Sequence, residues 1–158
     1  MLLFLVRHAI AAEATPDRPD ASRPLTQAGE RKFAAAVKGA RRLGWRFDRL
    51  YHSPLLRAVQ TAELLQPLLE GTSQSLADLA RPPDLEMLAH VEGERVALVG
   101  HEPHLSALLA FLTVGEIARG ERFPLKKGGF ALLSGPLRPG SMELQALVLP
   151  KMLRTLGA

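Results

Sequence analysis

Leu2-Leu3-Phe4-Leu5-Val6, followed at once by Arg7-His8-Ala9, opens the chain after Met1. An unbroken apolar run has no polar face, so it suits a strand at the centre of a parallel sheet, covered on both sides. The abrupt change to Arg7 and His8 puts two chemically capable side chains at that strand's carboxyl end. In open α/β sheets, ligands bind outside the carboxyl ends of the strands. Met1 to Val6 is also too short for the apolar core of a secretory signal, and no basic residue precedes it. The run therefore reads as a buried strand.

Working outward, residues 14–24 hold three prolines and two aspartates and read as a surface loop. Thr26 is placed to cap a helix running to about Leu43. Phe33, Ala36, Val37, Ala40 and Leu43 recur in it at helical spacing, and Gly44 ends it. Gly29 and Gly39 are unusual guests inside that helix. Phe47 to His52 reads as a second strand. Ser53-Pro54 is a helix-start signal, with Ser53 as N-cap and Pro54 at the first helical position of a helix reaching about Leu69. Residues 71–81 are ambiguous, with a short strand expected near Ser75-Leu76. Pro83 opens a short helix through about His90. Arg95 to Val99 is an apolar strand with Gly100-His101 at its carboxyl end, and Pro103 opens a helix through Leu112. Phe130 to Leu133 and Glu143 to Leu149 are two further strands. The short turn between them, rich in Pro and Gly, makes that pair antiparallel. Lys151 to Leu156 reads as a tail. Strands alternating with helices predict a three-layer α/β/α sandwich with a largely parallel, mixed sheet, formed by residues 1–158 as a single domain.

Composition narrows the function. The chain has 158 residues, 47% hydrophobic and 23% charged, the balance of an ordinary globular protein able to bury its own core. It has no cysteine, which excludes a disulfide scaffold, a thiolate zinc site, an iron–sulfur cluster and a cysteine nucleophile. No apolar stretch approaches the roughly 18 residues of a membrane span. The expected compartment is the cytoplasm. The net charge of +4 comes from 15 Arg and 5 Lys against 16 acidic residues. Arg favours oxyanion ligands, although a genome rich in G and C gives the same bias. The longest basic clusters are Arg41-Arg42 and Lys126-Lys127, which is thin for a nucleic-acid binder.

Three polar groups fall at the predicted sheet edge: Arg7-His8, His52-Ser53 with Arg57 one turn into the next helix, and Gly100-His101. Arg forks can neutralise and orient a phosphoryl group. A neutral imidazole nitrogen can attack phosphorus, and a second imidazole can hydrogen-bond the phosphoryl oxygens. Such a cluster needs no metal or other cofactor, because its cations serve instead. Two histidines could also bind a metal, but that use normally calls for a third ligand, and the adjacent arginines repel a cation.

At these residues the chain resembles the histidine phosphatase (phosphoglycerate mutase-like) superfamily. Arg7-His8-Ala9 is similar to its Arg-His-Gly signature. Arg23-Pro24-Leu25-Thr26 with Gly29 resembles a second block. Ser53-Pro54-Leu55-Leu56-Arg57-Ala58 with Gln60-Thr61-Ala62 resembles a third, and Val99-Gly100-His101-Glu102-Pro103 the late histidine block. The four blocks fall in order along nearly the whole chain. The short length and the Arg23-Pro24-Leu25-Thr26 segment point to the SixA-like phosphohistidine phosphatase branch.

The resemblance implies a phosphoglycerate mutase-like fold with His8 as the phosphorylated nucleophile. Arg7 and Arg57 would bind the phosphoryl group, His101 would stabilise it, and Arg23 would be a further phosphate-side cation. Ala9 departs from the family glycine, so either the backbone there keeps φ negative or the turn has adapted. Glu102 resembles the leaving-group proton donor of the acid phosphatase branch. A carboxylate at a helix N-terminus is, however, stabilised in its ionised form, which suits a general acid poorly. The implied substrate is a phosphohistidine on a signalling protein. A small phosphate ester or sugar phosphate, or a phosphate-binding module without turnover, is the alternative. His52, His90 and His104 match no family position and read as structural or surface residues. Lys126-Lys127 reads as a solvated turn or a contact for an acidic partner.

Overall fold

The computed structural model describes all 158 residues. Strand β1 (Leu2–Arg7) sits inside a six-stranded sheet of order β3-β2-β4-β1-β5-β6. Strands β2 (Phe47–His52), β3 (Leu69–Ser75) and β4 (Arg95–Gly100) run parallel to β1, whereas β5 (Phe130–Ser134) and β6 (Glu143–Val148) form the antiparallel side. The unbroken apolar run of β1 has its expected cause. Phe4 and Val6 join the core on one face and Leu3 and Leu5 the core on the other, none more than 2% exposed. β4 divides in the same way, with Ala97 and Val99 on one side and Val96 and Leu98 on the other.

Helices α1 (Gln27–Arg42), α2 (Leu56–Leu64) and α5 (Pro150–Gly157) belong to the first face, which buries Phe33, Val37, Ala58, Ala62 and Leu153. The short α3 (Leu85–Ala89) and α4 (His104–Val114) cover the second, with Met87, Leu105, Leu108, Leu109 and Leu112. Burying a side chain of this size stabilises the fold by about 1.5–3 kcal/mol. The result is an α/β/α sandwich with a mixed, mostly parallel sheet. Thr26 caps α1 as expected, its Oγ1 accepting the Gly29 N–H at 2.9 Å. The short helix expected from Pro83 is α3, capped by Asp84, which accepts the Met87 N–H at 2.8 Å.

Three expectations are corrected. The helix expected from Ser53 to about Leu69 begins only at Leu56, has no side-chain cap, and ends at Leu64. The Ser53 hydroxyl is turned to another use, described below. The strand expected near Ser75-Leu76 is instead β3, beginning at Leu69. It is an exposed edge strand, paired only with β2, and therefore carries no apolar run. The expected tail at Lys151 to Leu156 is helix α5, seated on α1. Glycine allows this seating, because a Cβ at Gly39 would lie 1.9 Å from the Leu153 carbonyl oxygen.

Candidate active site

Strand register brings distant segments level at one edge. Arg7 lies opposite Gly100 and His52 opposite Val99. Backbone bonds continue the alignment one residue further. The His8 N–H donates to the Gly100 carbonyl at 3.1 Å and the Ser53 N–H to the Val99 carbonyl at 2.9 Å. Because β5 runs the other way, it begins at this edge. The Gly128 N–H donates to the carbonyls of Arg7 and His8, at 3.0 and 3.1 Å, which brings Lys127 close by.

The His8 Nδ1 lies 2.7 Å from the Ala9 carbonyl oxygen. A carbonyl only accepts, so Nδ1 carries the proton and Nε2 keeps its lone pair. Burial pushes the His8 pKa down to about 4. The Ala9 carbonyl opposes the shift, and the charges of Arg57, Arg7 and Lys127 add to it. Near neutral pH the ring is uncharged. Ala9 has negative φ, as its methyl requires. Its N–H donates to Thr61 Oγ1 at 3.0 Å, and that hydroxyl donates to the Arg57 carbonyl at 2.7 Å.

The His101 ring stands 5.1 Å from that of His8, between ring centroids. Burial, then the charges of Arg57 and His8, push its pKa down to about 3. Its Nε2 is 2.7 Å from Ser53 Oγ.

Arg57 is almost fully buried, donating from Nη1 to the Asp20 carbonyl at 2.8 Å and pairing through Nη2 with the Asp20 carboxylate at 3.2 Å. Arg7 donates from Nη1 to the Leu125 carbonyl at 2.8 Å. Burial lowers the Arg7 pKa, opposed by the charge of Glu102. Arg7 Nε, Arg57 Nε and His101 Nδ1 are all buried without a hydrogen-bond partner. An unsatisfied buried donor costs about 1–3 kcal/mol, which an oxyanion would recover. Three such donors beside an uncharged imidazole can cradle a phosphoryl group while Nε2 attacks its phosphorus.

The four residues expected to form the centre, Arg7, His8, Arg57 and His101, are thus brought together. Arg23 is linked to them through Asp20, whose carboxylate accepts from Arg23 Nη1 at 2.9 Å. Its Nε donates to the Ala12 carbonyl at 2.6 Å. Glu102 lies just before the N-cap Pro103 of α4, with Oε1 buried and unpartnered. It borders an open cleft of about 260 Å³ lined also by Ser106, Ala107, Ile117 and Pro124. A smaller concavity beside Ala9 gathers Lys32, Lys127 and Arg154. No three His, Asp or Glu side chains come together as a metal site would need, and no helix is long and apolar enough to cross a membrane.

Sequence reasoning missed two participants. Ser53 reads from sequence as a helix cap at the sheet edge because Ser-Pro carries that local signal, whereas its partner His101 lies 48 residues away. Asp20 reads from sequence only as one of two aspartates in a surface loop. The quoted sequence blocks interlock in space: Gln60 Oε1 accepts the Leu25 N–H at 2.8 Å, Thr61 holds Ala9, and Ser53 meets His101.

Comparison with known proteins bears on the family and the fold. Residues 3–81 match the family described as histidine phosphatase superfamily (branch 1). An uncharacterised protein of Picosynechococcus sp. is 32% identical over 154 residues, spanning 92% of this chain and 90% of that protein. The structure of SixA from Agrobacterium tumefaciens, assigned as a phosphohistidine phosphatase, superposes with a TM-score of 0.77 at 26% identity, covering 94% of this chain and 97% of that one. A protein histidine phosphatase SixA complexed with tungstate superposes with a TM-score of 0.81 at 24% identity, covering 97% and 99%. Shared sequence over the first half of the chain and a shared architecture over nearly all of it make this protein a member of the histidine phosphatase superfamily, branch 1.

Proposed function

We propose that the protein is a phosphatase that carries the phosphoryl group on His8 Nε2, and that its substrate is a phosphohistidine on a signalling protein. The observation that carries this reading is the trio of buried, unpartnered donors, Arg7 Nε, Arg57 Nε and His101 Nδ1, beside an uncharged His8. In the first step the Nε2 lone pair forms a bond to phosphorus and the bond to the leaving group breaks, its electron pair departing with that group. In the second, a water oxygen bonds to phosphorus as the P–Nε2 bond breaks, Nε2 keeps that electron pair, and the water's proton passes to an oxygen of the phosphate that leaves. The donors stabilise the charge that builds on the phosphoryl oxygens in both steps.

The likeness to Agrobacterium SixA supports phosphohistidine as the substrate class. Leaving-group chemistry supports it too. The imidazole departing from a phosphohistidine can already carry a ring proton, whereas an alkoxide needs a donor. The Lys32, Lys127 and Arg154 concavity favours a substrate with acidic surroundings. One observation favours a small phosphate ester instead: Glu102 Oε1 is buried and unpartnered beside an open cleft, and an alkyl leaving group would need a donor of that kind.

The experiment measures kcat/KM for a phosphohistidine protein and an alkyl phosphate, with wild type, Glu102→Gln and His8→Ala. We expect fast turnover of phosphohistidine, little changed by Glu102→Gln, and an acid-labile, base-stable phosphoryl group on His8 after rapid quenching. His8→Ala should lose several orders of magnitude. A preference for the alkyl ester that vanishes in Glu102→Gln would select the second reading. Unchanged activity in His8→Ala would overturn both.

A further inference from the structure

We infer that Ser53 sets the tautomer of His101, holding the ring proton on Nδ1 and so presenting that N–H as a donor to the phosphoryl group carried on His8. This deepens the phosphatase reading and rests on it.

Ser53 is wholly buried. Its hydroxyl oxygen accepts the Leu55 N–H at 3.3 Å and lies 2.7 Å from His101 Nε2. The only acceptor within reach of the serine proton is that ring nitrogen. Were Nε2 to carry the proton and donate to Ser53, two buried groups would lack partners, the serine O–H and the Nδ1 lone pair, whereas a proton on Nδ1 leaves only the Nδ1 N–H unpaired. Hence Ser53 donates, Nε2 accepts, and an uncharged ring keeps its proton on Nδ1. That Nδ1 is the buried atom with no partner, on a ring 5.1 Å from His8.

The two histidines thus use the same tautomer for opposite purposes. His8 is anchored through its N–H, to the Ala9 carbonyl, which frees its lone pair. His101 is anchored through its lone pair, to Ser53, which frees its N–H. A short Ser–His contact is also what an activated serine nucleophile shows. Here the serine is sealed from solvent, and no carboxylate backs the imidazole on its Nδ1 side. Ser53 is therefore a positioning residue.

Nitrogen-15 NMR of the histidine rings near neutral pH tests this directly. Wild type should show His101 protonated on Nδ1 and unprotonated on Nε2. Ser53→Ala should populate both tautomers and lower kcat about tenfold, with a smaller effect on KM, because the donor acts chiefly in the transition state. Ser53→Thr should restore the tautomer and most of the rate. A second pair leaves Ser53 untouched. His101→Asn keeps an N–H donor near the place of Nδ1, and His101→Gln moves it to the place of Nε2. The Asn variant should be about tenfold or more the faster. A wild-type ring protonated on Nε2, an unchanged tautomer in Ser53→Ala, or a Gln variant as active as Asn would overturn the inference. The tautomer is read without turnover, so failure of the phosphatase reading in His8→Ala would be distinct from failure here.

Discussion

Asp20 shows how one exposed side chain bears on a buried site. Its carboxylate is 60% exposed yet pairs with Arg57, only 7% exposed, and with Arg23. An exposed carboxylate gains little from such a pair, about 0–1 kcal/mol, but it repels an incoming phosphate dianion. Asp20→Asn should therefore tighten inhibition by inorganic phosphate several-fold while leaving kcat nearly unchanged, which competitive inhibition constants would reveal. A weaker phosphate affinity would mean that Asp20 chiefly orients Arg57. That Arg7, His8, Arg57 and His101 gather at one sheet edge was legible in the sequence, because each follows a strand end or opens a helix, where local pattern places it. The part of Asp20 and the contact of Ser53 with His101 were not legible, because each depends on a partner that only the folded chain supplies.

Among the elements, α1 makes the clearest case for context over propensity. Gly→Ala inside a helix normally stabilises by about 1 kcal/mol. At Gly39 the sign should reverse, since the new Cβ would meet the Leu153 carbonyl and force α5 away from α1. Gly39→Ala should lower stability by about 1–3 kcal/mol, read as a fall in the urea midpoint. Gly29 answers to the same physics at the other end of α1, where a Cβ would lie 2.2 Å from the Ile10 carbonyl oxygen, just past the Arg7-His8-Ala9 turn. The apolar runs of β1 and β4 and the capped, periodic α1 were readable because burial on both faces, or on one helical stripe, writes itself into sequence. β3 was not, because an edge strand with exposed polar side chains is held by backbone bonds to β2 and carries no such signature. α5 was missed because eight residues are too few for a convincing helical period.

For the molecule as a whole, the two buried histidines tie stability to pH. His8 is held near 4 and His101 near 3, against 6.5 in an unfolded chain. As pH falls below about 6.5, the unfolded chain takes up protons that the folded one refuses, so stability declines until the folded rings also titrate. For His8 the shift corresponds to roughly 3 kcal/mol. The lowered pKa values of Asp20 and Asp78, each hydrogen-bonded to a cation or a histidine, extend the loss below the ordinary carboxylate range. Urea unfolding at a series of pH values should show stability intact near pH 7.5 and falling toward pH 4. A His8→Ala, His101→Ala double variant should have a flatter profile, and an equally steep one would assign the decline to other groups. The sheet adds a different consequence. Residues 7 and 8 are bonded on both sides, to Gly100 across the parallel seam and to the Gly128–Gly129 turn across the antiparallel one, while residues 13–22 lie exposed above them. The His8 amide should thus fall in the slowest class of hydrogen exchange, opening only when the whole chain melts. The exposed loop should exchange earlier, and amides that exchange there while His8 stays protected would show that the His8 ring is held by the sheet and not by the loop.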